Sequence, residues 1–66
     1  MQTSFQHRGM PVEVSKTRGE WCINTPAIKA SSRYLDAALK EALPGTGPRE
    51  LDLLQIRLAQ WANDAL

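Results

Sequence analysis

The chain has one cysteine, one histidine and no apolar run of bilayer length. Each scarcity removes a class of explanation. A lone cysteine, Cys22, cannot form a disulfide within the chain. Cys22 and His7 together fall short of the four ligands that a structural zinc site needs. No stretch approaches the roughly 20 apolar residues of a membrane-spanning helix. The opening Met-Gln-Thr-Ser-Phe-Gln-His-Arg lacks the apolar core of a secretion signal, which with the single thiol predicts a cytoplasmic protein. No nucleotide, metal or catalytic motif is present, so the sequence predicts a protein that is not an enzyme and uses no cofactor.

What remains is a chain of 66 residues with 42% apolar and 23% charged composition, which is ordinary for a folded domain. The length allows a single small domain over 1–66. A chain this short buries only about 60% of its unfolded surface, so its core is marginal when it stands alone. Without disulfide or zinc, the two remaining sources of stability are tight packing and self-association.

Net charge is +1, too small to draw the chain strongly toward nucleic acid or membrane. The charges are nevertheless segregated. Residues 1–33 hold Arg8, Lys16, Arg18, Lys29 and Arg33 against Glu13 and Glu20. Residues 34–66 hold Lys40, Arg49 and Arg57 against Asp36, Glu41, Glu50, Asp52 and Asp64. Such asymmetry can orient a partner or a second copy.

Period-2 patterning marks the first third as extended. Phe5 is the single apolar residue of a polar first segment that ends at Arg8-Gly9. Met10, Val12 and Val14 alternate with Pro11, Glu13 and Ser15, as in a half-buried strand. Gly19 can adopt the left-handed conformation that closes a hairpin to Glu20-Trp21-Cys22-Ile23-Asn24. These segments predict a three-stranded meander over 1–25. Its inner face carries Phe5, Met10, Val12, Val14, Trp21 and Ile23, and its outer face is polar and includes Cys22.

Period-3.6 patterning takes over in a helical hairpin over 31–66. The first helix is predicted over 33–43, capped by Ser31 or Ser32, with Leu35, Ala38, Leu39, Ala42 and Leu43 as its stripe. An alternative start uses Thr25 as cap and Pro26 as first helical residue, which brings Ile28 onto that stripe. Pro-Gly-Thr-Gly-Pro over 44–48 turns the chain into a second helix opened by Pro48, with Leu51, Leu54, Leu58, Trp61 and Ala65 as its core stripe. The predicted fold is thus α+β: a three-stranded antiparallel sheet with a two-helix antiparallel hairpin packed on one face, in the order βββαα.

Leu53 and Ile56 fall outside the core stripe of the second helix. With Arg57 and Gln60 they define a second line, predicted to bind a protein partner or a second copy in a homodimer. The alternative function is nucleic-acid binding through the basic turns of the sheet, with Arg8, Lys16 and Arg18 as phosphate contacts. Against it, the outer sheet face lacks aromatics for base stacking, and neither helix has a basic face. His7 is expected to be a solvated surface residue, since its polar strand has no acid nearby in sequence to orient it as a base. Cys22 has only Trp21 and Ile23 beside it, which cannot activate a thiol. Gly45 and Gly47 precede a helix, but Arg49-Glu50 follows where a phosphate-binding loop carries Lys-Ser or Lys-Thr. Trp21 and Trp61 lie on the two inner stripes and are expected in the core.

Overall fold

Two Arg-Gly dipeptides shape the sheet. The computed structural model describes residues 2–64. In it, β1 (Gln2–His7) and β2 (Met10–Thr17) are joined by Arg8-Gly9, and β2 and β3 (Glu20–Asn24) by Arg18-Gly19. Arg8 and Gly9 have φ of 53° and 78°, and Arg18 and Gly19 have 54° and 81°. Positive φ at both central residues is the type I′ turn, whose twist matches that of the strands it joins. Glycine takes this conformation freely, whereas arginine does so at a cost of roughly 1–2 kcal/mol.

Turn length then sets the hydrogen bonding of every strand. The pair flanking a two-residue turn exchanges both its bonds, and alternate pairs follow the same rule. His7↔Met10, Phe5↔Val12 and Thr3↔Val14 are therefore the bonded pairs between β1 and β2. Between β2 and β3 the bonded pairs are Thr17↔Glu20, Ser15↔Cys22 and Glu13↔Asn24. Pro11 consequently points its missing N–H toward the β3 side, beyond the end of that strand, and breaks no ladder bond.

The sheet has four strands, one more than the patterning predicts. The addition is β4 (Lys29–Ser32), which pairs with β3 so that Ala30 faces Ile23 and Ser31 faces Cys22. Residues 25–28 make the reversal. The Thr25 N–H donates to the Ile28 carbonyl at 2.8 Å, and the Thr25 hydroxyl accepts from the Ile28 N–H at 2.9 Å. Thr25 thus caps a hairpin turn instead of a helix.

The first helix, α1, accordingly runs over Leu35–Ala42, starting later than 33 and ending one residue before Leu43. Ser31 and Ser32 belong to β4. The Ser32 hydroxyl still accepts from the Tyr34 N–H at 3.1 Å, one residue ahead of the helix. Leu43 closes α1 by donating its N–H to the Leu39 carbonyl at 2.9 Å. The second helix, α2 (Pro48–Asp64), begins at the proline as predicted, and its first bond runs from the Leu51 N–H to the Gly47 carbonyl.

The helices cover one face of the sheet. Val12, Val14 and Ile23 of the sheet and Ala38, Leu39 and Ala42 of α1 are buried in one shared core, with α1 lying against β3 and β4. Full burial of a side chain such as Leu39 contributes about 1.5–3 kcal/mol. The second helix covers the β1 side less completely. Only Leu58 and Ala62 are buried, while Leu51, Leu54 and Trp61 are partly buried against the core. Ala65, the last residue of its predicted stripe, lies outside the described residues. Trp61 approaches the buried Trp21 with ring centroids 6.3 Å apart and planes tilted by 54°, a favourable aromatic geometry.

Candidate functional site

Helical spacing places Leu53, Ile56, Arg57 and Gln60 on one side of α2, opposite Leu58 and Ala62. All four are exposed, with Leu53 and Ile56 retaining 62% and 56% of their accessible surface. Both are large apolar side chains left open on a helix whose other side contributes Leu58 and Ala62 to the core. Tyr34, at the entrance to α1, is 71% exposed and was given no role by the patterning. It precedes Leu35 directly but lies outside the spacing of the Leu35, Ala38, Leu39 and Ala42 stripe.

The three cations of the alternative reading do not converge. Arg8 and Arg18 occupy turns at opposite ends of β2, a separation of roughly 25 Å for an eight-residue strand. The Arg8 guanidinium is held by Glu50, with Nη2 3.1 and 3.2 Å from the two carboxylate oxygens. The Lys16 ammonium lies 4.9 Å from the centre of the Trp21 ring, on the helix-covered side of the sheet. Arg18 instead shares a shallow depression with Glu20, Cys22 and Arg33 on the outer face, where Glu20 offsets part of the positive charge. The fold brings these two arginines to Cys22, which its sequence neighbours do not reveal.

His7 departs from expectation. Its side chain is only 13% exposed, so it is not a solvated surface residue. Strand parity supplies the reason: His7 has the orientation of Phe5 and Thr3 and turns toward the helices. There its Nε2 lies 3.4 Å from the Thr46 hydroxyl and 3.7 Å from a Glu50 oxygen. Glu50 comes from the start of α2, so local sequence around His7 gives no hint of it. His7, Arg8, Met10, Ile28, Leu43 and Thr46 line a cavity of about 290 Å³ where three connections of the chain meet.

A hydroxyl, an imidazole and a carboxylate in one place invite comparison with a nucleophilic relay. Such a relay needs the hydroxyl on one ring nitrogen and the carboxylate on the other. Here both partners approach Nε2, and the carboxylate is already engaged by Arg8. The arrangement ties the β1–β2 turn to the start of α2, with the carboxylate on the same ring nitrogen as the hydroxyl instead of on Nδ1. Among the described residues there is no group of three or more His, Cys, Asp or Glu side chains placed to hold a metal ion. No helix among them is long and apolar enough to cross a membrane.

Comparisons with protein-family models, with curated proteins and with solved structures found no match to this chain.

Proposed function

We propose that the protein is a small non-enzymatic interaction module that binds protein through the outward side of α2. The observation that carries this reading is the exposure of Leu53 and Ile56 on a helix anchored from its other side by Leu58 and Ala62. Arg57 and Gln60 supply polar contacts at the rim of the apolar pair, the arrangement typical of an interface. The partial exposure of the unpaired Cys22 thiol supports a reducing compartment, the cytoplasm. The scattering of Arg8, Lys16 and Arg18 favours a protein partner over nucleic acid, because phosphate recognition draws on cations gathered on one surface.

The test compares wild type with Leu53→Glu/Ile56→Glu in light scattering and in affinity capture from the source cell. A complex, with itself or another protein, that forms with wild type and is lost in the double variant supports the reading. Complexes formed equally by both proteins overturn it, and so does a wild type that neither self-associates nor captures a protein.

A further inference from the structure

The two edges of the sheet are unlike each other. On one side, β4 is only four residues long and carries Lys29 within the strand, the short and charged form by which monomers guard an edge. On the other, β1 presents Gln-Thr-Ser-Phe-Gln-His over six residues, with no lysine, arginine, acid or proline. Thr3, Phe5 and His7 spend their backbone bonds on β2, which leaves the N–H and C=O groups of Gln2, Ser4 and Gln6 directed outward from the edge. A strand of this kind is a template for another strand.

Beside this edge runs a groove lined by Thr3, Phe5, Leu54, Arg57 and Trp61. The flank of α2 above it reads Glu50, Leu53, Leu54, Arg57 in helical order. Reversed by a two-fold axis, this flank complements itself: Arg57 of a second copy comes beside Glu50, which stays 47% exposed while paired with Arg8 of its own chain, and the leucines meet at the centre. Glu50 sits beside His7 at the end of β1, and Leu54 shares the groove with Phe5, so the strand and the helix run in opposite directions at matching height. One axis near Phe5 therefore serves both layers. It sets Ser4 opposite Gln6 of the second copy and lays the two α2 helices side by side.

We infer that the partner is a second copy of this chain, joined β1 to β1 in an antiparallel, continuous eight-stranded sheet. This deepens the proposed function and rests on it, since α2 contributes Leu53 and Arg57 to the same contact. The dimer covers the open groove over Phe5 and Trp61, which gives a core this small additional apolar burial. Ile56 lies on the crest of α2, away from the β1 side, and contributes little to this contact.

Two measurements test the inference. In residue-resolved hydrogen exchange on the unmodified protein, the Ser4 and Gln6 amides should be protected at high concentration and lose protection on dilution, while the Phe5 amide stays protected throughout. In light scattering, Ser4→Pro removes one outward donor per copy without touching the β1–β2 ladder or the core, and should weaken the dimer by about tenfold or more. Leu53→Glu should also dissociate it, and Ile56→Glu should leave it largely intact. Ser4 and Gln6 amides that exchange freely at every concentration would overturn the inference, whatever happens to the variants. A dimer disrupted by Ile56→Glu but indifferent to Ser4→Pro would also overturn it, while leaving the α2 surface as the site of binding.

Discussion

Arg8 and Glu50, 42 residues apart in sequence, are joined by two contacts of 3.1 and 3.2 Å from one guanidinium nitrogen. The pair links the first hairpin turn to the first turn of α2. Its carboxylate also sits at the positive end of the helix dipole, so Glu50 is favoured there by two independent fields. Both side chains remain substantially exposed, at 62% and 47%, and solvent screens the attraction. A double-mutant cycle with Arg8→Ala and Glu50→Ala should give a coupling of about 0.2–1 kcal/mol, falling further in high salt. A coupling that stays constant with salt would mean that the pair is not the screened surface contact its exposure indicates.

The two type I′ turns carry arginine where asparagine is the better residue. Arg18 makes no hydrogen bond or ion pair among the described residues, so its left-handed backbone is uncompensated. Arg18→Asn should raise stability by about 0.5–1 kcal/mol in a denaturant titration. Gly19→Ala should act in the opposite direction, losing about 1 kcal/mol or more at a φ of 81°, even though no atom crowds the position. Stabilisation by Gly19→Ala would contradict the turn type.

Burial is unequal between the helices, and mutation should reveal it. Leu39 is 1% exposed in the centre of the core, whereas Leu54 is only partly buried over the β1 side. Leu39→Ala should cost about 2–5 kcal/mol, enough to unfold much of a domain of this size. Leu54→Ala should cost less than half as much in the monomer, because less of its surface leaves water on folding. Urea titrations of the two variants below their association range decide this, and equal losses would refute the division.

How far patterning alone leads is visible at β4. Met10, Val12 and Val14 announce β2 because their alternation is complete within the strand. Lys29-Ala-Ser-Ser has no β-branched or aromatic residue, and its extended form is imposed from outside by Ile23 and Cys22 on β3. Thr25 illustrates a second limit. A threonine before Pro26 has the chemistry of a helix cap, and its hydroxyl does accept from N–H groups two and three residues on, but the chain turns instead. His7 is a different matter, because parity with Phe5 was sufficient to turn it inward. Its partners Thr46 and Glu50 come from beyond α1, a distance over which no local pattern reports.

The Thr25 hydroxyl offers a direct test of that turn. It accepts from the Ala27 and Ile28 N–H groups at 3.3 and 2.9 Å and fixes the reversal that delivers β4 to the sheet. Thr25→Ala should lose about 1 kcal/mol, while Thr25→Ser, which keeps the oxygen, should retain most of the stability. If alanine and serine behave alike, the hydroxyl does not hold the turn.

Leu53 and Ile56 bear on the relation between stability and function. Side chains that stay 62% and 56% exposed contribute little to folding, and their apolar surface adds nothing to solubility. Glutamate is about as good a helix former as leucine and better than isoleucine. Neither position lies in the first turn of α2, so the dipole does not decide the outcome. Leu53→Glu and Ile56→Glu should therefore each leave monomer stability within about 0.5 kcal/mol of wild type, measured by urea unfolding at low protein concentration. A loss of 2 kcal/mol or more from either change would show that these side chains serve the fold of the monomer itself, and would remove the ground for treating them as a surface kept for binding.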